Sequence, residues 1–90
     1  MMSMEIDIMF EYNKEAIGKT IKNLRLSKNL SQEVLSSFAG IARSHLSMIE
    51  NGTKNANFET ICKIAGALEM APHELVIKIE DTYRDYYSPE

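Results

Sequence analysis

Apolar positions change their spacing once along this chain of 90 residues. Between Glu5 and Tyr12 they alternate. Ile6, Ile8, Phe10 and Tyr12 share one face, and Glu5, Asp7 and Glu11 the other. A period of two belongs to a strand. A single strand has no stability of its own, so this segment is expected to act as an arm that pairs or packs elsewhere. From Asn13 the spacing becomes helical. Ile17, Ile21 and Leu24 recur at i, i+4 and i+7, with Lys19, Lys22 and Lys28 away from that stripe. Asn29 tolerates the left-handed conformation that stops a helix, and Leu30 should then turn inward. Ser31 is a suitable N-cap for a second helix, Gln32 to Ala39. Gly40 supplies a sharp turn, and a third short helix from Ala42 to Asn51 ends at Gly52.

Asn57 can cap a fourth helix from Phe58 to Met70, with Phe58, Ile61, Ile64, Ala65 and Leu68 on its inner face. Pro72 suits the first position of a fifth. Leu75 or Val76, Ile79, Tyr83 and Tyr86 or Tyr87 carry the apolar stripe of that helix toward the C-terminus, before Ser88-Pro89-Glu90 frays. The pattern predicts an all-α domain of five helices over residues 13–79. An N-terminal β-arm over 1–12 precedes it, and an extended last helix and tail over 80–90 follow.

Composition narrows the chemistry. No apolar run approaches a membrane span, and the N-terminus lacks the basic-then-apolar order of a signal peptide. Cys62 is the single cysteine, so no disulfide forms within the chain and a cytoplasmic location fits. It stands among Ile61, Ile64 and Ala65 and reads as a buried small hydrophobe. His45 and His73 are far apart and lack metal-ligand spacing. No nucleophile–base pair, phosphate loop or cofactor motif is present, so no enzyme and no cofactor is expected.

Net charge is −3, which alone argues against a polyanionic partner, but the distribution reverses that argument. Between residues 17 and 55, Lys19, Lys22, Arg25, Lys28, Arg43 and Lys54 face only Glu33 and Glu50, a local excess of +4 between acidic ends. Local field, rather than net charge, steers a polyanion.

Taking Gln32 as the first position of a two-helix unit over 31–52, the fifth is small (Ser36) and the ninth is Gly40. Leu35, Ala39, Ile41, Leu46 and Ile49 are apolar where the two helices must meet. A short turn of this kind sets the second helix at about 90–120° to the first. On a helical projection Ala42, Leu46 and Ile49 face inward. Ser44, Ser47 and Asn51 lie opposite, flanked by Arg43 and Met48. This small-residue face suits a major groove about 12 Å wide. Arg43 offers a bidentate fork for guanine, Ser44 and Ser47 can bond base edges, and Met48 can touch a thymine methyl. Gln32 can bind a phosphate at a helix N-terminus. Thr53, Lys54 and Asn55 are placed to hold the DNA backbone.

The chain resembles the phage-repressor and Cro-type (Xre-like) helix-turn-helix regulators from about Ile17 to Leu75. The resemblance is carried by Ile17-Gly18-Lys19-Thr20-Ile21-Lys22-Asn23-Leu24-Arg25, Leu30-Ser31-Gln32-Glu33, Ala39-Gly40-Ile41, Leu46-Ser47-Met48-Ile49-Glu50-Asn51-Gly52 and Pro72-His73-Glu74-Leu75. It implies a five-helix, lambda-repressor-like domain that binds a palindromic operator on double-stranded DNA as a homodimer and regulates transcription. It implies DNA contacts from Gln32, Arg43, Ser44, Ser47 and Met48, a flanking phosphate contact from His45, and a structural ion pair between Arg25 and Glu50. Ala42 and Ala71 depart from the family, standing where it usually carries capping residues.

The C-terminal stripe of Val76, Ile79, Tyr83 and Tyr86 is the expected dimer surface, and the alternating arm is the second candidate. Acidic neighbours Glu80, Asp81 and Asp85 make that tyrosine cluster a protein contact rather than a base-stacking platform. Three roles suit a domain of this size: controller of a restriction–modification operon, phage repressor, or antitoxin with its own toxin as partner. The rival from another class is a protein-interaction module, such as an anti-repressor, that keeps the fold with weak or no DNA binding.

Overall fold

Local capping chemistry sets most helix boundaries in the computed structural model, which describes residues 13–87 and side chains through Asp85. The alternating arm, the expected fraying of the tail from Ser88, and the side chains of Tyr86 and Tyr87 lie outside the described residues. Asn13 Oδ1 accepts from the Ala16 N–H (2.8 Å) and starts α1 (Lys14–Ser27). Asn29, at φ 58°, turns the chain out of α1, and Leu30 N–H donates back to the Arg25 carbonyl. Ser31 Oγ accepts from Val34 N–H (3.0 Å) and opens α2 (Gln32–Ala39). Gly40, at φ 72°, ends it, with Ile41 N–H reaching the Ser36 carbonyl. A residue with a Cβ is disfavoured in that conformation, which is why glycine stands at the turn.

Two later boundaries are less regular. α3 (Arg43–Glu50) begins at Ala42, which has no side chain able to cap it. α4 (Phe58–Ala67) is capped by Asn57 through Thr60 N–H and ends three residues earlier than the apolar pattern suggests. There Glu69 takes φ 62° and Met70 N–H bonds the Ala65 carbonyl. α5 (Pro72–Tyr87) follows at once. Glu74 Oε1 accepts from Ala71 N–H (2.7 Å), one half of a capping box, where Ala71 cannot supply the other half.

One core joins the five helices. Ile21, Leu35, Leu46, Ile49, Ile64, Ala65, Leu68 and Leu75 are fully buried, with Ala16, Ile17, Ala39, Ala56 and Ile61 nearly so. α1 packs on α3 and α5, α2 packs on α3 and α4, and α4 packs on α5. Full burial of each large aliphatic side chain contributes roughly 1.5–3 kcal/mol. Three inward assignments from the sequence do not hold. Phe58 is 67% exposed, because it is the first residue of α4 and projects past the core edge. Ala56, just before the cap, is buried instead. Ala42 is exposed because it is the N-cap rather than part of the helical face. Cys62 is half-buried on the flank of α4, beside Phe38 and Gly66.

Backbone proximity fixes α1 against α3. A Cβ placed on Gly18 would collide with the carbonyl oxygens of Ile49 and Glu50, so only glycine permits this approach. Gly66, near the end of α4, would place a Cβ in open space. Helix propensity alone favours alanine at both sites by up to about 1 kcal/mol. The two substitutions are therefore expected to differ in sign. Gly18→Ala should destabilise by about 2 kcal/mol or more, and Gly66→Ala should stabilise by about 0.5 kcal/mol. Urea unfolding midpoints of the two variants check this, and an unchanged Gly18→Ala would deny the close packing of α1 on α3.

Candidate nucleic-acid interface

α3 has two unlike sides. Leu46 and Ile49 are wholly buried, and Glu50 is nearly so. Arg43 and Ser44 are exposed, Met48 is 40% exposed, and His45 and Ser47 are half-buried at the margins of the outer face. The turn at Gly40 and the small Ser36, buried in α2, hold α3 against α2 with that face outward.

Beneath it lies a charged cluster. Arg25 Nε donates to Glu50 Oε2 (2.7 Å) and Nη2 donates to Glu50 Oε1 (3.0 Å), a bidentate pair with both side chains almost fully buried. Arg25 Nη1 also donates to the Leu30 carbonyl (2.7 Å), which ties the α1–α2 connection to the same point. Hydrogen bonding to Glu50 lifts the Arg25 pKa above its ordinary value, although burial opposes the shift. The guanidinium therefore stays charged across any pH at which the protein is handled. Gln32 Nε2 donates to Glu50 Oε1 (2.9 Å), and Arg43 Nη1 reaches Gln32 Oε1 at 3.4 Å. The sequence marked Gln32 as a phosphate contact. Its bond to Glu50, eighteen residues away in the chain, has no local signature.

The segment after α3 is organised by its own side chains. Asn51 Oδ1 accepts from the Thr53 N–H (3.1 Å) and hydroxyl (2.7 Å), and the Thr53 hydroxyl also reaches the Met48 carbonyl (3.3 Å). Asn51 and Thr53 therefore shape the exit from α3, with Asn51 committed to the loop rather than extended from the outer face. Lys54 is exposed and, with His45, Asn55, Asn57 and Thr60, lines a shallow polar depression beside α3. Thr60 was not singled out from the sequence, since no short-range pattern brings it to His45. Away from this face, Val76, Ile79 and Tyr83 are half-buried. With Ala16, Ile17, Ala56, Phe58 and Ile61 they line a mostly apolar groove of about 330 Å³ between α1, α4 and α5.

Two helices joined by a glycine turn, with the second presenting a small, polar and cationic face over a buried ion pair, define a helix-turn-helix domain. Residues 21–75 match the helix-turn-helix family model HTH_3, and the chain belongs to that family. It is 40% identical over 60 residues to control protein C.BamHI of Bacillus amyloliquefaciens, covering 66% of this chain and 74% of that protein. It is 33% identical over 70 residues to the HTH-type transcriptional regulator SinR of Bacillus subtilis, covering 77% of this chain and 63% of SinR. Among solved structures it resembles the restriction–modification controller protein C.AhdI of Aeromonas hydrophila. That similarity has a TM-score of 0.66 and 37% identity, over 69% of this chain and 94% of that one.

The buried pair is expected to act on stability before recognition. Arg25→Met should cost about 3–5 kcal/mol, because it strands the Glu50 carboxylate without its partner. The double variant Arg25→Met/Glu50→Leu should recover a large part of that loss. Chemical denaturation of the wild type and both variants measures the difference. Equal stability of the wild type and Arg25→Met would show that the pair carries no structural weight.

Proposed function

We propose that this protein is a sequence-specific DNA-binding regulator of transcription whose α3 enters the major groove. The observation that carries this reading is the division of α3, which buries Leu46 and Ile49 and leaves Arg43, Ser44, Ser47 and Met48 along its outer side. The basic excess between residues 17 and 55 and the similarity to named control proteins and a transcriptional regulator support it. Its work on this reading is binding, not turnover. Arg43 reads guanine, Ser44 and Ser47 bond base edges, Met48 packs on a methyl group, and His45 and Lys54 hold phosphates. Asn51 and Thr53 contribute by shaping the loop that presents Lys54. Among the three roles that suit the size, control of a restriction–modification operon is favoured by the similarity to C.BamHI and C.AhdI.

A homodimer on a palindromic operator places two copies of α3 in successive major grooves about 34 Å apart. Val76, Ile79 and Tyr83 supply its contact surface, with the exposed Phe58 at the rim. Ile79→Asp is expected to shift the protein to monomer in sedimentation velocity. A wild type that is already monomeric at high micromolar concentration would remove this surface from the assignment.

Selection of binding sites from random DNA by the purified protein tests the reading directly, and a two-fold symmetric consensus is the expected result. On the selected site Arg43→Ala should lose about 1–3 kcal/mol of affinity with little change in Tm. Lys54→Ala should weaken all sequences alike and flatten the dependence of log K on log salt by about one unit. Absence of salt-dependent binding to any duplex would instead favour a protein-interaction module on the same fold.

A further inference from the structure

We propose that the N-terminal segment, residues 1–12, seats its apolar face in the groove between α1, α4 and α5 of its own chain and there competes with a second copy. The competition rests on the dimer surface assigned above to the same groove; the seat itself does not. The groove, of about 330 Å³, is lined in part by Asn13, Ile17, Phe58, Val76, Ile79 and Tyr83. Asn13 is both a part of that wall and the residue to which the segment is joined. It is extended, at φ −126° and ψ 102°, just before the first turn of α1. The segment is therefore attached at the groove itself and needs no intervening linker to reach it. A small-molecule site fixes its ligand through a few placed polar groups. Here the Asn13 side-chain oxygen caps α1 through Ala16 N–H (2.8 Å), and Ile17, Phe58, Val76 and Ile79 present apolar surface. Such a wall suits an occupant held by an apolar face rather than by polar contacts.

The segment has that face. Ile6, Ile8, Phe10 and Tyr12 alternate with polar positions that include Glu5, Asp7 and Glu11, and in extended chain alternate residues share a side. Seating the apolar side leaves those carboxylates in water, turned away from Glu80 on the groove wall. Lengths agree as well. Tyr12 to Ile8 spans about 13 Å in extended form, and Val76 to Tyr83 spans about 10 Å along α5. Three side chains of the segment thus cover the wall, and Phe58, 67% exposed at the start of α4, gains aromatic partners. A second copy must arrive from solution, whereas a segment tethered by a short linker is present at a millimolar effective concentration. Ordering the segment costs backbone entropy, so its occupancy is partial. With the groove open in about one chain in three, and both copies needing an open groove to pair, the dimer is weakened about tenfold. The segment then sets the protein concentration at which assembly begins.

The test uses the full chain. Nuclear Overhauser contacts are measured on labelled protein, then on an equal mixture of labelled and unlabelled chains with isotope filtering, which separates contacts within one chain from contacts between two. Contacts from Ile8 and Phe10 to Val76 and Ile79 are expected within one chain. In sedimentation velocity the double variant Ile8→Ser/Phe10→Ser should dimerise about tenfold more tightly than the wild type, and it should lose those contacts. Both substitutions lie outside the helical core, and thermal unfolding confirms that the variant is folded. Absence of any contact from the segment to Val76 or Ile79 would overturn the proposal, as would contacts found only between chains, which make the occupant a segment of the second copy. A dimer weakened by the double substitution would overturn the competition. Contacts within one chain combined with an unchanged dimer constant would uphold the seat and instead remove the dimer surface from this groove.

Discussion

A guanidinium and a carboxylate closed off from water between α1 and α3 impose the strictest constraint in this domain. Arg25 and Glu50 exchange two hydrogen bonds at 2.7 and 3.0 Å, and Arg25 spends a third donor on the Leu30 carbonyl. Such a pair adds little net stability compared with apolar residues of the same volume. Its geometric demand is nevertheless severe, because each charge is tolerable only while the other is in place. α1, the turn into α2 and the end of α3 must therefore meet at one point. Gly18 permits that meeting by letting α1 lie directly on the carbonyls of Ile49 and Glu50. The outer face of α3 takes its attitude from the same contact.

Capping residues made much of the fold legible in the sequence. Ser31 and Asn57 have short side chains with an oxygen that reaches an N–H two or three residues on, and both do so. Asn29, Gly40 and Gly52 stand at positive φ where their types anticipate it. The stripes through Ile17 and Ile21, Leu46 and Ile49, and Ile61, Ile64 and Leu68 are buried because a period of 3.6 leaves them little choice. Apart from Cys62, half-buried on the flank of α4, what failed lies at helix ends. A helical projection treats Ala42 and Phe58 as interior positions, but as N-cap and first residue they have no preceding turn to hold them against the core. α4 stops without a glycine or asparagine, since Glu69 accepts the left-handed conformation itself.

The candidate site divides along similar lines. Which side of α3 faces outward could be read from periodicity alone. The hydrogen-bond state of each group on or near it could not. Asn51 has the composition of a base reader, yet its oxygen is spent on Thr53. Gln32 has the composition of a phosphate ligand, yet its amide is claimed by Glu50. Both commitments depend on where neighbouring groups fall once the helices are assembled. Glu50 lies eighteen positions from Gln32, a separation on which local periodicity is silent. Gly18 was equally unmarked, since nothing near it in the chain announces the backbone of α3.

The two-sided construction of α3 has an evolutionary consequence. Because Leu46 and Ile49 take up the packing, Ser44 can be exchanged with little thermodynamic penalty to the folded state. Divergence of target preference among descendants of such a domain can then proceed by surface drift, without compensating repairs in the interior.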